Sequence, residues 1–435
     1  MMKQYGLLGE VLGHSLSPRI HGRIFDSVKV DGRYDLYEVP HDTVGEWMGG
    51  QALSLEGFNV TIPYKETVIP YLSEISPQAK SVGAVNTVAV KAGKLYGHNT
   101  DYYGFGEMLG VEGIEVKGAR VLVLGTGGAA KAVSAYLLDA GAGELTLASV
   151  DVPADILRFP GSRVISHDEI EALGERDILV NCTPVGMHPH TGDSLIGEDL
   201  IGRFTSVVDL IYNPWETELL RLAANAGKKA INGLYMLVAQ AVRAEEIWQG
   251  VDIPKEITRD IYNELKKQML GDRLNIVLTG MMGSGKSALG YRAAMALGRM
   301  FIDMDAWIEE RHGPIPELFK KGEGFFRDIE TEAARQIGGL EGAVIATGGG
   351  VVLRQENMDA LGRQGIVLFI DRPVDQILTD IDTDHRPLLQ EGKEKLNTIY
   401  RERERLYRGT ADYVIDNSGT AEEALNNIIA AAKGE

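Results

Sequence analysis

The sequence has 435 residues, which is enough for two or three domains with buried cores. Its net charge of −18 and isoelectric point near 5.0 argue against nucleic acid or an anionic membrane as a partner, because both need basic surfaces. A single cysteine, Cys182, excludes an intrachain disulfide framework and is typical of a reducing, cytoplasmic setting. There is no apolar run of about 20 residues and no signal-peptide pattern, so we expect neither a membrane span nor secretion.

The first hundred residues form a predicted α/β segment with short polar side chains in separate motifs at 14–18, 59–66, 83–87 and 99–101. Two of these residues, Lys65 and Asp101, are a suitable pair for acid–base work. The lysine exchanges a proton with a carbonyl oxygen, and the aspartate orients the lysine. Short hydroxyl and amide side chains also suit a ligand that carries several hydroxyl groups. The motifs provide Ser15, Ser17, Thr61 and Asn86.

A strand, a glycine-rich turn and a helix come next. Arg120–Leu124 is a continuous apolar run, typical of a buried parallel strand, and an alanine-rich helical stretch extends to residue 140. The turn departs from G-x-G-x-x-G, because a third glycine directly follows the second and an alanine stands in the last position. Its glycines still let the backbone approach a pyrophosphate at the helix N-terminus, although a plain turn into an amphipathic helix is the alternative. The turn consists of Gly125, Thr126, Gly127, Gly128 and Ala129.

Further elements follow up to residue 274. Strands are predicted at 144–148 and 205–210, and three motifs at 181–187, 209–217 and 232–240 contain Tyr212, Gly233 and Gln240. A strongly helical stretch covers residues 236–269. We place the main domain boundary at about 271–274 and a second one near residue 104.

Taken in order, these seven motifs make residues 5 to about 250 resemble shikimate dehydrogenase. The resemblance implies reduction of 3-dehydroshikimate to shikimate with NADPH, and it makes Lys65 and Asp101 the catalytic pair. The substrate-binding residues that it implies are Ser15, Ser17, Thr61, Lys65, Asn86, Asp101, Tyr212 and Gln240. The cofactor-binding residues that it implies are Gly125, Thr126, Gly127, Gly128, Ala129, Ser149 and Gly233.

One position departs from that family. After the strand at 144–148 the family normally has Asn-Arg-Thr, whose arginine binds the 2′-phosphate of NADP. This chain has Ser149, Val150 and Asp151 instead, and the next basic residue is Arg158. The missing arginine and the nearby Asp151 favour NAD, whose ribose hydroxyls suit an acidic acceptor. NADP stays the family's cofactor, to which Ser149 could still donate a hydrogen bond; NAD is the alternative, and Lys131 has no assigned place.

A second strand–turn–helix unit begins after residue 274. Asn275–Thr279 is a predicted buried strand, and residues 280–287 match G-x-x-x-x-G-K-S, the P-loop pattern, whose backbone N–H groups surround phosphates at a helix N-terminus. We expect Lys286 to neutralise phosphates of ATP and Ser287 to bind Mg²⁺. Further strands at Ala343–Ala346 and 366–370 predict a parallel sheet.

Downstream residues indicate which hydroxyl compound accepts the phosphoryl group. A predicted strand ends at Asp303 and Asp305, and arginine- and glycine-containing motifs follow at 326–330, 346–350, 386–389 and 403–407. Each has an ordinary explanation by itself, such as a solvated helix face or a turn. Together, after a P-loop, they make residues 274 to about 418 resemble shikimate kinase, which transfers the γ-phosphoryl group of ATP to shikimate.

The kinase resemblance implies a role for each residue, with Asp305 as the catalytic residue that draws the hydroxyl proton. The implied shikimate-binding residues are Asp305, Arg327, Gly349 and Arg403. The implied ATP-binding residues are Gly283, Ser284, Gly285, Lys286, Ser287, Ala288 and Arg386, and the implied Mg²⁺ ligands are Ser287 and Asp303. Two departures from the family, Ala288 for a threonine and Arg405 for a proline, affect none of these roles.

The sequence therefore predicts an α/β protein with three domains. They are an N-terminal α/β substrate domain at 1–104, completed by helices from about 236–270, a Rossmann-type NAD(P) domain at 105–235, and a P-loop kinase domain with a parallel sheet at 274–435. The predicted function is a bifunctional enzyme of aromatic amino-acid biosynthesis that makes shikimate and then phosphorylates it. Its cofactors are NADP or NAD, ATP and Mg²⁺, and its partners are small molecules. Two alternatives stay open: a first half that binds shikimate as a regulatory module without cofactor, or one that also accepts quinate.

Overall fold

The computed structural model describes residues 2–13, 15–188, 191–380 and 393–434. The chain divides into two compact units, Met1–Tyr262 and Asn263–Glu435. The domain limits that we drew from the sequence stay predictions. None of the helices in the described ranges has both the length and the apolar character needed to cross a membrane.

The first unit begins with a mixed six-stranded sheet. Its strands are β1 (Lys3–Gly9), β2 (Gly32–Glu38), β3 (Gly57–Val60), β4 (Glu74–Ile75), β5 (Thr87–Lys91) and β6 (Lys94–His98), and its helices are α1 (Ser17–Val28), α2 (Val44–Gly49) and α3 (Pro77–Val82). The strand order is β2-β1-β3-β5-β6-β4, with β1 parallel to both neighbours and β5 antiparallel to both of its own. Because Val60 N–H donates to Asn86 O at 2.8 Å, the residues after β3 and those before β5 meet at one edge.

A second sheet follows the helix α4 (Asp101–Val111). Its strands are β7 (Arg120–Leu124), β8 (Glu144–Ser149), β9 (Arg163–Ser166), β10 (Ile178–Asn181), β11 (Ser206–Asp209) and β12 (Lys229–Asn232), and its helices are α5 (Gly128–Asp139), α6 (Val152–Ile156), α7 (Glu198–Ile201) and α8 (Glu218–Asn225). All its strand pairs are parallel, in the order β12-β11-β10-β7-β8-β9. The order reverses between β7 and β10, and α/β sheets bind ligands in the crevice at such a point. The predicted Rossmann-type fold is confirmed.

Two helices, α9 (Leu234–Gln249) and α10 (Lys255–Leu270), occupy the stretch that the sequence predicted as helical. The first ends because Gly250 has a left-handed φ of 68°, and its N–H donates to Glu246 O, which closes the last turn. Helix α9 packs against α4 and α1 and also contacts β5. Helix α9 follows the last strand of the second sheet and therefore places its side chains next to elements of the first sheet.

The second unit is a five-stranded parallel sheet covered by helices. Its strands are β13 (Asn275–Thr279), β14 (Met300–Asp303), β15 (Ala343–Ala346), β16 (Gly365–Asp371) and β17 (Tyr413–Asp416). Its helices are α11 (Lys286–Leu297), α12 (Met304–His312), α13 (Ile315–Lys320), α14 (Glu323–Gly338), α15 (Gln355–Gly362), α16 (Val374–Asp380), α17 (Lys393–Thr410) and α18 (Ala421–Lys433). The order β14-β15-β13-β16-β17 puts the fully buried β13 in the centre, so the loop after it emerges between neighbouring strands. The predicted parallel sheet is confirmed.

Two candidate active sites

The predicted proton-transfer pair is in direct contact. Lys65 lies in the turns after β3, and Asp101 is the first residue of α4. Lys65 Nζ is 2.6 Å from Asp101 Oδ2, and the two side chains are 16% and 11% exposed. The Lys65 backbone is fixed because its carbonyl accepts a hydrogen bond from Val85 N–H at 2.8 Å. The pair is therefore shielded from bulk water but open enough to meet a ligand.

A chain of hydrogen bonds joins two other predicted substrate-binding residues, Asn86 and Gln240, through Thr100, which directly precedes Asp101 in the sequence. Asn86 is buried; its Oδ1 accepts from Thr100 N–H at 2.7 Å, and its Nδ2 donates to Thr100 Oγ1 at 3.0 Å. Thr100 Oγ1 in turn donates to Gln240 Oε1 at 3.4 Å. Because Thr100 precedes Asp101, these bonds also fix the start of α4.

The network continues through two residues that the sequence did not single out as site residues, Asn59 and Tyr34. Asn59 Nδ2 donates to Thr87 Oγ1 at 2.9 Å, and Asn59 Oδ1 accepts from the Tyr34 hydroxyl at 2.7 Å. Burial raises the pKa of Tyr34 well above its usual value, and Ser17 hydrogen-bonds to the same hydroxyl. Ser15 Oγ accepts from Ser17 N–H at 3.2 Å. No motif contained Tyr34, so only the folded chain reveals its place.

Two predicted substrate residues stand apart from this network. Thr61 follows β3, and its N–H donates to Leu8 O at 2.9 Å. Tyr212 follows β11 and is half-buried, which raises the pKa of its hydroxyl. In the described ranges neither side chain makes a hydrogen bond to another predicted site residue.

The glycine turn before α5 lies next to Lys65, the predicted catalytic lysine. Gly125 has a φ of 91°, and a Cβ there would be 2.7 Å from Thr183 Cγ2, so only glycine fits. A Cβ on Gly128 would be 3.4 Å from Lys65 Cδ, whereas one on Gly127 would have no neighbour within 4 Å. The turn thus leaves open space at the N-terminus of a helix and beside Lys65. These residues fit a dinucleotide with its pyrophosphate on the turn.

The remaining predicted cofactor residues, Ser149 and Gly233, lie at the end of β8 and directly after β12. Ser149 is buried; its Oγ donates to the Asp155 carboxylate at 2.5 Å and accepts from Asp151 N–H at 2.9 Å. Asp151, which we considered as a ribose acceptor, caps α6 by accepting from Ala154 N–H at 3.3 Å. A Cβ on Gly233 would be 2.0 Å from the Leu210 carbonyl oxygen, so this position needs glycine for close backbone contact.

A carboxylate that the sequence did not single out is fully buried at the end of β11. Asp209 accepts hydrogen bonds from Thr217 Oγ1 at 2.7 Å, Asn181 Nδ2 at 3.0 Å and Ile211 N–H at 3.1 Å. Burial outweighs these hydrogen bonds and raises the pKa of Asp209 to about 6. The group holds the turn that leads to Tyr212.

In the second unit the P-loop follows the central strand β13. Gly285 directly precedes α11 and has a φ of 94°, which favours glycine. Lys286 Nζ donates to the carbonyls of Gly280 at 2.9 Å and Met281 at 2.8 Å. Ser284 Oγ is buried and has no partner in the described part of the chain, so it fits a phosphate oxygen as acceptor. Gly283 and Ala288 lie in the loop and in the first turn of α11.

The two predicted Mg²⁺ ligands touch each other. Ser287 Oγ donates to Asp303 Oδ2 at 2.5 Å, and Asp303 Oδ1 accepts from the N–H groups of Asp305 at 3.0 Å and Ala306 at 3.2 Å, which caps α12. Within the described ranges no group of three or more His, Cys, Asp or Glu residues could hold a metal by itself. Ser287 and Asp303 therefore fit a Mg²⁺ that takes its other ligands from phosphate and water, as Mg²⁺ commonly does.

The predicted acceptor-binding arginines meet at the glycine turn after β15. Arg327 is 7% exposed; its Nη1 is 2.7 Å from Glu330 Oε2, while its Nε is buried without a partner among the described residues. Arg403 Nη1 donates to Gly349 O at 2.9 Å, and the Tyr407 hydroxyl donates to the same carbonyl. An unpartnered guanidinium N–H fits an anionic ligand such as a carboxylate.

This turn has room for its neighbours only because it is made of glycine. A Cβ on Gly348 would be 2.6 Å from Asp305 Oδ1, and one on Gly350 would be 2.2 Å from Arg327 Nη1. Asp305 and Arg327 therefore border the same turn. Glu330 was not predicted as a site residue, although its spacing of three from Arg327 on one helix was the available signal. The predicted ATP-binding Arg386, like His14 of the first motif, lies outside the described residues.

Two family models match the chain. One, described as Shikimate kinase, matches residues 282–433. The other, described as Shikimate dehydrogenase substrate binding domain, matches residues 7–88.

Relatives cover the first part of the chain. This chain is 44% identical over 268 residues to the shikimate dehydrogenase (NADP(+)) of Clostridium perfringens. The aligned region covers 61% of this chain and 99% of that protein. The shikimate 5-dehydrogenase of Thermus thermophilus, solved in complex with NADP(H) and shikimate, is 32% identical with a TM-score of 0.55 over 60% of this chain and 99% of its own. The enzyme of Listeria monocytogenes, solved in complex with shikimate and NAD, is 31% identical with a TM-score of 0.55 over 60% and 96%.

Proposed function

We infer that this chain, which belongs to the shikimate dehydrogenase family and carries a shikimate kinase domain at residues 282–433, catalyses two consecutive reactions of the shikimate pathway. It reduces 3-dehydroshikimate to shikimate with NADPH and phosphorylates shikimate with ATP. The observation that carries the first activity is the contact between Lys65 and Asp101 beside the glycine turn. The observation that carries the second activity is the hydrogen bond from Ser287 of the P-loop to Asp303.

In the first site, Lys65 is the group that exchanges a proton with the oxygen at the reacting ring carbon. Asp101 orients the ammonium group through an ion pair of 2.6 Å. Bound NADPH supplies the hydride. Ser15, Ser17, Asn86 and Gln240 bind the hydroxyl and carboxylate groups of the ring, with Thr61 and Tyr212 as further contacts. The bonded network around Asn86 supports this role because it fixes the amide before the substrate arrives.

In the second site, Arg327 and Arg403 bind the shikimate carboxylate, and Asp305 draws the proton from the hydroxyl that is phosphorylated. The burial of Arg327 and its unpartnered Nε support this assignment. Lys286 and the loop N–H groups bind the phosphates of ATP, and Ser287 with Asp303 holds Mg²⁺. Catalysis of this kind depends on positioning and charge stabilisation.

A pair of assays on the full chain tests both activities. Shikimate with NADP⁺, and separately with NAD⁺, should raise the absorbance of the reduced nicotinamide, and shikimate with Mg-ATP should release ADP. No reduced nicotinamide with either dinucleotide would favour a shikimate-binding module over a dehydrogenase. No ADP would remove the kinase assignment. Quinate in place of shikimate measures the related specificity in the first assay.

A further inference from the structure

Two cations in the first unit converge on a single carboxylate oxygen. Lys131 Nζ is 2.9 Å and Arg158 Nη2 is 3.2 Å from the same atom, Glu66 Oε1. The side chains of Arg158 and Glu66 are 40% and 49% exposed, so solvent reaches the cluster, while that of Lys131 is only 10% exposed. Neither cation was assigned a place from the sequence.

The guanidinium of Arg158 is held from behind by Asp155. Its Nη1 donates to Asp155 Oδ1 at 2.9 Å, which leaves Nη2 directed at Glu66. Burial would raise the pKa of Asp155, but hydrogen bonds from Ser149, Thr126 and Arg158 together lower it below the usual value. Asp155 is therefore ionised and occupied, and it positions the arginine.

The cluster lies beside the expected ribose position of a bound dinucleotide. Ser149 ends β8, Thr126 belongs to the glycine turn, and both are hydrogen-bonded to Asp155. Lys131 is in the first turn of α5, where its N–H donates to Gly127 O at 3.2 Å. In doubly wound sheets the adenosine ribose lies at the end of the second strand, next to this turn. The cluster therefore lies in the region where the ribose of a bound dinucleotide is expected.

We propose that Lys131 and Arg158 form the binding site for the 2′-phosphate of NADP, and that Glu66 occupies this site until the cofactor displaces it. The inference rests on the dehydrogenase function proposed above. A phosphate can accept from both cations and carries more charge than a carboxylate, so it competes effectively for the pair. The nearby carboxylates already have other partners, because Asp155 accepts from Arg158 Nη1, which leaves Nη2 for the phosphate, and Asp151 caps α6. The chain thus binds the 2′-phosphate without the arginine that the family has after the second strand.

The proposal can be tested without catalysis by titrating the full chain with NADPH and with NADH. The fluorescence of the bound reduced nicotinamide measures binding. ATP and ADP lack this fluorophore, so they give no such signal of their own. We expect Arg158→Met and Lys131→Met to weaken NADPH binding by about 10- to 100-fold and to change NADH binding by less than about twofold. Arg158→Lys should retain part of the NADPH affinity. The matched control is Arg221→Met, because Arg221 pairs with Glu218 on the exposed surface of α8 in the same unit.

Glu66→Gln should have the opposite effect on NADPH binding. Removing the competing carboxylate should tighten NADPH binding by about three- to tenfold and leave NADH binding nearly unchanged. A wild-type chain that prefers NADPH, with no loss of this preference in Arg158→Met and Lys131→Met, would overturn the inference alone. Equal affinity of the wild type for both dinucleotides would also overturn it and leave the dehydrogenase in place. Binding of neither dinucleotide would overturn the proposed dehydrogenase function as well.

Discussion

Lys65 is positioned by bonds on both sides, since Asp101 holds its ammonium group and Val85 holds its carbonyl. Of the two, only the ammonium can take part in proton transfer, because the backbone bond fixes geometry alone. A side chain of similar length without the charge should therefore preserve the fold and remove the chemistry.

Lys65→Met should lower kcat of the dehydrogenase reaction by about 10²- to 10⁴-fold, which is the usual contribution of a positioned general acid or base. The rate of nicotinamide reduction with saturating shikimate measures it. Lys117→Met, at an exposed lysine of the same unit, is the control and should keep the wild-type rate. A loss of less than about tenfold in kcat would exclude Lys65 from proton transfer.

Asp209 predicts a pH dependence of stability. Its pKa is about 6 in the folded chain and about 3.9 when unfolded, so the folded state binds the proton more tightly. The resulting stability is present below about pH 4 and is lost as the pH rises through about 6. Asp209→Asn has no proton to lose at this position. As the pH rises from about 5 to about 7.5, its free energy of unfolding should increase by about 1 kcal/mol relative to that of the wild type.

Denaturant unfolding of both variants at these two pH values measures this difference. Asp177→Asn is the control, because Asp177 is at the surface beside Arg120 and its pKa is lowered by hydrogen bonds from that residue. The free energy of unfolding of Asp177→Asn should not increase relative to that of the wild type as the pH rises. Parallel pH profiles for wild type and Asp209→Asn would mean that Asp209 keeps an ordinary pKa.

At the scale of elements, the glycine turn between β15 and α15 decides how closely α14 and α17 approach. Helix α14 supplies Arg327, and α17 supplies Arg403 and Tyr407, both of which donate to Gly349 O. Two helices distant in sequence are thus fixed to one turn. A side chain added in this turn should disturb the arginines before it disturbs the sheet.

Gly350→Ala should raise KM for shikimate in the kinase reaction by about 10- to 100-fold, because its Cβ would lie 2.2 Å from Arg327 Nη1. The backbone at Gly350 has a φ of −102°, so alanine causes no backbone strain there. Initial rates of ADP release at varied shikimate measure the effect. Gly339→Ala is the control, since its Cβ would meet only ordinary contacts at 3.6 Å or more; an equal KM in both variants would contradict the prediction.

The elements themselves were largely predictable from the sequence, and the side-chain contacts were not. The strands Arg120–Leu124, Asn275–Thr279 and Ala343–Ala346 are confirmed because short apolar runs between glycine-rich turns have few other solutions. The predicted helical stretch at 236–269 contains two helices, since Gly250 ends the first and the second begins at Lys255.

The contacts among site residues depend on long-range packing, which a sequence pattern does not encode. Tyr34, on an edge strand, has no local signal, yet its hydroxyl donates to Asn59. Lys131 and Arg158 are far apart in sequence and meet at one oxygen of Glu66, which follows a strand of the other sheet. By contrast, Ser287 and Asp303 were predictable as neighbours, because both follow parallel strands of one sheet.

At the scale of the whole molecule, each unit has a buried core of its own, and each contains one of the two lysines that we predict to serve its reaction, Lys65 and Lys286. The core of the second unit is built around Val277, Phe369 and Tyr407, and that of the first includes Val121, Val123 and Phe105. Among the residues that the structure describes, each candidate site is assembled from the side chains of one unit. The two activities should therefore be separable by single substitutions in the full chain.

Lys286→Met should lower the kinase rate by about 100-fold or more while the dehydrogenase rate stays at the wild-type value. Lys65→Met should give the reverse pattern. Both reactions measured on each purified variant check this expectation. A parallel loss of both activities in either variant, with unchanged thermal unfolding, would mean that the sites are coupled.

The carboxylate of Asp303 has two functions, because one oxygen caps the N-terminus of α12 and the other accepts a hydrogen bond from the hydroxyl of Ser287. An asparagine at 303 would offer one acceptor for these two tasks, and the orientation of its amide would decide which of them fails. A lost kinase rate in such a variant would then report a frayed helix, which carries Asp305, as readily as a lost metal ligand. Ser287 does not cap α12. A changed magnesium requirement in Ser287→Ala would therefore report the metal site without the helix.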